Sequence, residues 1–329
     1  MVLPVLALMC AMAAGSLVPA RERVYYDLER AEEHFEAFIR KYGRTYADQQ
    51  EKDTRFLIFK DNLMKFNEKN DESEHAVYGV DNFADMSTEE FTRHVTCLRG
   101  AGEADERGCS AIEMPIVAMP DSFDWRDEKV VTPVRAQGTC GACWAYSAIG
   151  SVEAQYALQY ERLVDLSEQQ LVDCDDTSEG CQGGNMQLAF RYMNKTGGVD
   201  GEEVYPYEDK QGSCRFNNQS VRVRVGDCFL HAGSDEKDLM AFLYLYGPLS
   251  VGVDAQSFHG YTKGVHSCTF EKLNHGVLLV GYGTEKDVPY WTIKNSWGES
   301  FGEDGYIRIK RGVNACGIMN DPASFAEIV

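Results

Sequence analysis

Two cysteines and a distant imidazole hold the reactive chemistry of this sequence. The stretch QGTCGACWAYSA, Gln137 to Ala148, sets Cys140 three residues before Cys143, at what reads as the start of a buried helix. That spacing fits three chemistries: a redox dithiol, half of a thiolate zinc site, or a nucleophile beside a structural thiol. The redox reading wants a βαβ pattern upstream, and WRDEKVVTPVRAQGT carries proline and no central strand. A zinc site would recruit Cys174 and Cys181, but an oxidising compartment favours disulfides over thiolate sites. The nucleophile reading makes a demand elsewhere in the chain, because a nucleophilic cysteine needs a base and the base an orienting partner. The segment NHGVLLVGYGTEKDVPYWTIKNSWG supplies both. Two strand-like runs flank a turn centred near residue 286, so a hairpin would set His275 beside Asn295, within one register step. An amide oxygen there fixes the imidazole tautomer and aims the other nitrogen outward. His231, His259 and His266 have no partner that the sequence reveals.

These side chains need rigid elements to hold them. CWAYSAIGSVEAQYALQYE, from Cys143 to about Glu161, is apolar around much of its circumference and predicts a buried helix. A shorter helix begins near Ser167, where Ser167 with Gln170 matches a capping box. Beyond about Cys228 the chain turns strand-like, in LSVGVDA, HGVLLVGYG, YWTIKNSWG and GYIRIKR. Helix-rich followed by strand-rich halves predict an α+β protein of two packed lobes, with a cleft between them for a ligand. Upstream, DLERAEEHFEAFIRKYG predicts a helix ending at Gly43. A second amphipathic helix carries Phe56, Phe59, Leu63 and Phe66 at helical spacing. Residues 99–118 lose periodicity and read as an exposed linker open to proteolysis.

The 329 residues carry a formal charge of −20, spread over both halves of the chain, which argues against nucleic acid and anionic membrane surfaces. MVLPVLALMCAMAAGS resembles a secretory signal cut between Gly15 and Ala20, and the apolar run is too short for a transmembrane span. Eleven cysteines fit that oxidising route, as do sequons at Asn194 and Asn218. Cys10 would leave with the signal.

From Met119 onward the chain resembles the papain family of cysteine proteases. DWRDEKVVTPVRAQGTCGACWAYSA, LSEQQLVDCD, GCQGGNMQLAF, YPY, GPLSVGVDA, NHGVLLVGYG, YWTIKNSWG and CGI follow in the family's order. Upstream, Glu51, Arg55, Phe59, Asn62, Phe66 and Asn70, with Gly79, Asp81, Phe83 and Asp85, are similar to the two motifs of cathepsin-L-like propeptides. Phe66 stands where Ile is usual and Asp81 where Asn is usual. The resemblance implies a papain-like two-lobed fold, a helical lobe plus a β-barrel-like lobe, preceded by a mainly helical propeptide. It divides the chain into a signal peptide (1–20), an inhibitory propeptide (21–98), a linker through the cleft holding the maturation site (99–118), and a peptidase domain (119–329). The helical lobe would span about 128–229, and the strand-rich lobe about 119–127 and 230–329.

Carried over residue by residue, the resemblance implies that Cys143 is the nucleophile, His275 its base, Asn295 the orienter and Gln137 an oxyanion-hole donor. Trp297 would cover the His275–Asn295 hydrogen bond. Family pairing implies disulfides Cys140–Cys181, Cys174–Cys214 and Cys268–Cys316, and a free thiol at Cys143. Of the cysteines left over, Cys97 and Cys109 are expected to pair with each other and Cys228 to stay a buried thiol. Gly183 and Gly184 would offer backbone to an extended peptide. Met186 and Leu273 would wall the main pocket, Asn274 would border the cleft, and Asp321 at the pocket floor could admit Arg or Lys beside Leu or Phe. Asn274 also stands where many relatives carry Asp, removing a charge near the expected ion pair.

The implied activity is a cysteine endopeptidase made as a zymogen and matured near Met119 at acidic pH, needing no metal and no cofactor. The expected partners are protein and peptide substrates, the chain's own propeptide and cystatin-type inhibitors. The enzyme is expected as a monomer of the secretory pathway, lysosomal or secreted. A catalytically inactive papain-like binding protein and a CxxC oxidoreductase are the rival readings. The hydrolase reading depends on a sulfur at position 143 that is bonded to no other.

Overall fold

The computed structural model describes residues 24–100 and 108–329. The expected signal peptide lies outside the described residues, as does part of the linker. Helix α1, Ala31–Tyr42, ends at Gly43, whose φ of 62° is the left-handed turn that glycine adopts without strain. Helix α2, Gln49–Glu72, starts on Asp48, whose side chain accepts the Glu51 N–H. Strand β1 is Ala76–Tyr78 and helix α3 is Thr88–Val95.

The polar residues of the α2 motif tie this helix to the chain that follows it. Asn62 Nδ2 donates to the Ala84 and Met86 carbonyls at 2.8 Å each. Asn70 exchanges two hydrogen bonds with the Tyr78 backbone. Arg55 forks onto Glu90 at 2.7 and 3.0 Å. Between these bonds Phe59, Leu63 and Phe66 are buried, while Phe56 is half-buried.

Strands β2 (Ser110–Ile112) and β3 (Phe123–Asp124) precede the long buried helix α4, Cys143–Tyr160. Helices α5 (Glu168–Cys174) and α6 (Met186–Thr196) complete the helical lobe, with the short strands β4 (Val199–Asp200) and β5 (Val221–Val223). Ser167 caps α5 by accepting the Gln170 N–H. The reciprocal half of the expected capping box is absent, because the Gln170 side chain instead holds the Gly198 carbonyl and the Asp200 N–H.

Then come β6 (Val225–His231), helix α7 (Glu236–Tyr246), and strands β7 (Leu249–Val253), β8 (Tyr261–His266), β9 (His275–Glu285), β10 (Val288–Lys294), β11 (Tyr306–Lys310) and β12 (Ser324–Ile328). The main sheet runs β1-β8-β11-β10-β9-β7-β12-β6-β2, with β3 paired to β9. Its first strand and its last both come from upstream of Met119. β1 adds antiparallel to β8 and β2 adds parallel to β6.

Two cores follow from this topology. One joins the faces of α1, α2 and α3 to the inner face of the strand-rich lobe, so the N-terminal helices and that lobe share buried Phe59, Phe66, Phe91, Phe258 and Trp297. The other fills the helical lobe around Trp144, Ile149, Phe190 and Met193, and includes Leu98. The linker differs from the expectation of an exposed, aperiodic stretch. Ser110–Ile112 is a sheet strand, and Cys109 is disulfide-bonded to Cys228. The segment that crosses Cys143 is Thr96–Arg99, earlier than the 99–118 stretch expected there.

Candidate active site

Helix α4 presents Cys143 at its first residue. Its N-terminus has no side-chain cap, so the positive end of the macrodipole falls on the sulfur. The helix is pinned to β9 by the Ser147 hydroxyl, which donates to the Val277 carbonyl at 2.7 Å, while the Ser147 carbonyl accepts from the Ser250 hydroxyl. That contact brings the first residue of β9, His275, to Cys143. The sulfur of Cys143 also accepts the Gly276 N–H at 3.3 Å.

The β9–β10 hairpin turns at Lys286 and Asp287, both with positive φ, the backbone of a two-residue turn that follows strand twist. Its register steps by one between Thr292 and Ile293, after which Lys294 faces Leu278. Asn295, the next residue, therefore falls diagonal to His275 rather than opposite it. The side chains still meet, with His275 Nε2 2.8 Å from Asn295 Oδ1. Which amide atom faces the ring is decided by the backbone: Asn295 Oδ1 also accepts the Ser296 N–H, a group that can only donate. The Nε2 nitrogen must then carry the proton, leaving Nδ1 as the basic nitrogen toward the cysteines. Trp297 lies on the ring, with centroids 4.9 Å apart.

His275 is fully buried, and desolvation lowers its pKa from 6.5 to about 4 against the raising effect of the Asn295 hydrogen bond. In this structure the imidazole is neutral near neutral pH, so the expected thiolate–imidazolium pair is not formed. The reason is on the sulfur. Cys143 is in a disulfide with Cys97, and His275 Nδ1 lies 3.6 Å from Cys97 Sγ. The expectations of a free Cys143 thiol, a Cys97–Cys109 pair and an unpaired Cys228 are all overturned, so the hydrolase reading, which needs an unbonded sulfur at 143, applies to the chain only once this bond is reduced. Cys97 is drawn into the cleft by the ladder described next, while β2 lays Cys109 beside Cys228 of β6. Cys140–Cys181, Cys174–Cys214 and Cys268–Cys316 are disulfides. Cys140 and Cys143 thus belong to different bridges, which removes both the CxxC dithiol and the four-thiolate zinc site.

The Cys97 segment occupies the cleft as an extended peptide. The Asn274 carbonyl accepts the Cys97 and Leu98 N–H groups at 2.9 and 3.0 Å. Gly184 donates to the Cys97 carbonyl and accepts from the Arg99 N–H, pairing in parallel with Leu98. Gly183 has φ of 120°, and a Cβ there would lie 2.7 Å from the Cys97 oxygen, so glycine is required for this approach. Leu98 is buried with Met186 and Leu273 in one apolar cluster. A Cβ built on Gly252 would lie 2.9 Å from Leu98 Cδ2, 3.5 Å from Leu273 Cδ1 and 3.6 Å from Asp321 Cβ, so all three border the same point. Asp321 is only 1% exposed, with Gln187 Nε2 3.5 Å from its Oδ2.

The Asn274 side chain points elsewhere than expected. It donates to Asp254 Oδ1 and accepts the Ala255 N–H, so it does not face His275 and a charge there would not have entered the pair. Gln137 is buried, its Nε2 donating to the Cys140 carbonyl at 3.1 Å and its Oε1 accepting from the Ser296 hydroxyl. Asn194 is exposed at the end of α6, and Asn218 is exposed in a turn.

Sequence reasoning placed Phe83 in a motif without a contact and missed Phe91 and His94, which cover this site with it from the N-terminal unit. Phe83, Phe91 and His94 ring the Trp297 indole at 5.3, 5.6 and 6.0 Å. His259 lies 3.0 Å from the Phe83 carbonyl, and His266 is 2.6 Å from the Tyr78 hydroxyl. Two of the histidines without a visible partner therefore find one across the interface, more than 170 residues away in sequence.

The comparisons with known proteins agree with this geometry. Residues 119–326 match the papain family cysteine protease model, and residues 35–91 match the cathepsin propeptide inhibitor domain. The viral cathepsin of Spodoptera litura multicapsid nucleopolyhedrovirus is 40% identical over 329 residues, covering 97% of each chain. That of Mamestra configurata nucleopolyhedrovirus is 43% identical over 307 residues, covering 92% of this chain and 91% of its own. Among solved structures, the digestive procathepsin L2 proteinase of the Tenebrio molitor larval midgut superposes with a TM-score of 0.84 at 36% identity, covering 90% of this chain and 99% of its own. The recombinant stem bromelain precursor gives 0.82 at 34% identity, covering 90% and 98%. The chain belongs to the papain family of cysteine proteases, as a cathepsin-L-like precursor that carries its own propeptide inhibitor.

Proposed function

We propose that this zymogen of a cysteine endopeptidase uses Cys143 as nucleophile, His275 as general base and acid, Asn295 as the positioning residue and Gln137 as an oxyanion donor. The observation that carries the assignment is the Nε2-protonated His275, held by Asn295 with its Nδ1 toward the sulfurs at the start of α4. Once Cys143 is reduced, Nδ1 takes the thiol proton, and the thiolate lies at the positive end of the helix. Attack on a peptide carbonyl forms a tetrahedral oxyanion, which the Cys143 backbone N–H and the Gln137 amide would stabilise. Removing one such donor typically costs ~3 kcal/mol of barrier. Imidazolium then protonates the leaving amine, and water hydrolyses the thioester.

The same reading assigns residues 21–98 as the inhibitory propeptide, with maturation by cleavage between it and Met119 at acidic pH. It assigns the secretory pathway, lysosomal or secreted, a monomeric enzyme, cystatin-type inhibitors and glycans at Asn194 and Asn218. No helix among the described residues is long and apolar enough to cross a membrane. The cleft-lining role of Gly183, Gly184, Met186, Leu273 and Asn274 is supported by their use in holding Cys97 to Arg99.

Stoichiometric alkylation tests the assignment. Reduced, matured enzyme loses peptidase activity as one equivalent of iodoacetamide enters Cys143. Alkylation of that sulfur without loss of activity would overturn the mechanism.

A further inference from the structure

We propose that the Cys97–Cys143 disulfide is a covalent lock on the nucleophile, one that chain cleavage cannot release and that only a reductant of the thiol or phosphine class opens. The proposal rests on the peptidase reading above and adds a condition to it. Three observations carry it. First, the two sulfurs are brought together by contacts independent of their bond. The Asn274 carbonyl takes the Cys97 N–H, Gly184 donates to the Cys97 carbonyl, and Leu98 is buried among the pocket residues. Second, all ten cysteines from Cys97 onward are paired in five bridges, so within the described chain Cys97 meets no competing thiol. Third, both sulfurs have no exposed surface, so an external thiol reaches them only after the covering segment lifts.

Two bridges join the precursor region to the catalytic unit. Cutting the chain anywhere from residue 101 to 107 leaves the inhibitory unit attached through Cys97. Cutting near Met119 leaves residues 108–118 attached as well, through Cys109–Cys228. Proteolysis and activation are therefore separate events.

During oxidative folding, a donor disulfide accepts two electrons from the Cys97 and Cys143 thiols and leaves as two thiols. In activation, an external thiolate attacks Cys97 Sγ. The new S–S bond forms as the Cys97–Cys143 bond breaks, and Cys143 leaves as the thiolate. It is the better leaving group because it lies at the helix N-terminus. A second thiolate resolves the mixed disulfide, giving the external disulfide and a Cys97 thiolate that takes a proton from water.

The test uses the full precursor and its Cys97→Ser variant, both purified without reductant under argon. Pepsin cuts the linker of each at acid pH, with and without a water-soluble phosphine, which ends as the phosphine oxide with its oxygen taken from water. Wild-type activity is expected to rise at least ~100-fold with phosphine, since only a free thiolate is nucleophilic. Cys97→Ser is expected to be active without it, and the four bridges it retains serve as the control. On a non-reducing gel the cut wild-type chains stay joined. Wild-type protein as active without phosphine as an active Cys97→Ser protein would overturn the lock. A Cys97→Ser protein that is alkylated at Cys143 yet cleaves no peptide would instead overturn the peptidase reading. If Cys97→Ser does not fold, non-reducing peptide mapping of the wild type decides: a Cys97–Cys143 linked pair supports the lock, and a free Cys143 thiol sinks it.

Discussion

Asn295 Oδ1 lies 2.8 Å from His275 Nε2, and the same oxygen accepts the Ser296 N–H at 2.8 Å. The amide is thus oriented by its own backbone before it orients the ring. Its Nδ2 is buried without a partner, so the residue is kept in place for its oxygen alone. Replacing Asn295 with Ala removes an acceptor to a group that becomes charged in the cycle, a bond worth about 1.5–3 kcal/mol. In the reduced, matured enzyme kcat/KM should fall by roughly 10- to 100-fold, each 1.4 kcal/mol being tenfold. KM should change little, and the pH at which Cys143 becomes alkylatable should shift. Unchanged alkylation across pH would show that the ring is held by Trp297 instead.

The docked interface points to histidines as the groups through which acid loosens the propeptide. His275 is depressed by burial to about 4 and His266 to about 3, and burial also lowers His94 and His259 below 6.5. Lifting the propeptide rehydrates these rings, and the open state binds more protons. The histidine contribution to docking is fully present above 6.5, and it weakens as pH falls toward the depressed values. Asp81 works in the opposite sense, because burial raises its pKa and the docked state favours its protonated form. It faces His259 and Lys69, and Lys69 is itself lowered to about 8. In Cys97→Ser precursor, inhibition should be level from pH 6.5 to about 8, fall between 6.5 and about 4, and strengthen above about 8 as docked Lys69 loses its proton. His94→Gln should shallow that transition. A transition confined below the ordinary carboxylate range would assign the switch to Asp and Glu.

The hairpin, the α4 start and the His275–Asn295 pairing were legible because they are local or depend on one short turn. The bulge that makes the pair diagonal was not, since nothing in Thr292–Ile293 distinguishes a register step from regular pairing. The partners of Cys97 and Cys228 were illegible for a different reason. Cys97 is placed by a cleft ladder to Asn274 and Gly184 that spans the two lobes, and Cys228 by a three-residue strand, Ser110–Ile112, that has no periodicity to read. The buried side chains of Asp321 and Asn274 were placed near the pocket by resemblance, but only packing revealed that one is enclosed and the other turned toward Asp254.

Glu90 joins two devices of the propeptide. It completes the capping box with Ser87 at the start of α3, and it receives the Arg55 fork from α2. Its pKa is held below the ordinary value chiefly by Arg55. Glu90→Ala removes a cap worth about 1 kcal/mol and a part-exposed ion pair worth at most about 1 kcal/mol more. The excised propeptide of this variant, added back to matured enzyme, should inhibit roughly 3- to 30-fold less well. Arg55→Lys should lose part of the same effect, because a point charge replaces the fork. Wild-type inhibition by Glu90→Ala would remove α3 from the docking energetics.

Leu98 and Asp321 both border the point above Gly252, so each predicts the behaviour of the other. Leu98 is 4% exposed, and truncating a buried leucine costs about 2–5 kcal/mol. In the Cys97→Ser background, Leu98→Ala propeptide should therefore bind matured enzyme at least tenfold more weakly. If the enclosed Asp321 carboxylate faces that pocket, Leu98→Arg should bind better than Leu98→Ala, because a guanidinium can fork onto a carboxylate. Asp321→Ala enzyme should then lose this preference for Arg and retain the one for Leu. The same enzyme, given fluorogenic peptides with Arg or Leu two residues before the cut, should show a lower Arg-to-Leu ratio of kcat/KM. An unchanged ratio, together with no rescue of Leu98→Arg over Leu98→Ala, would assign Asp321 to its contact with Gln187 and not to substrate selection.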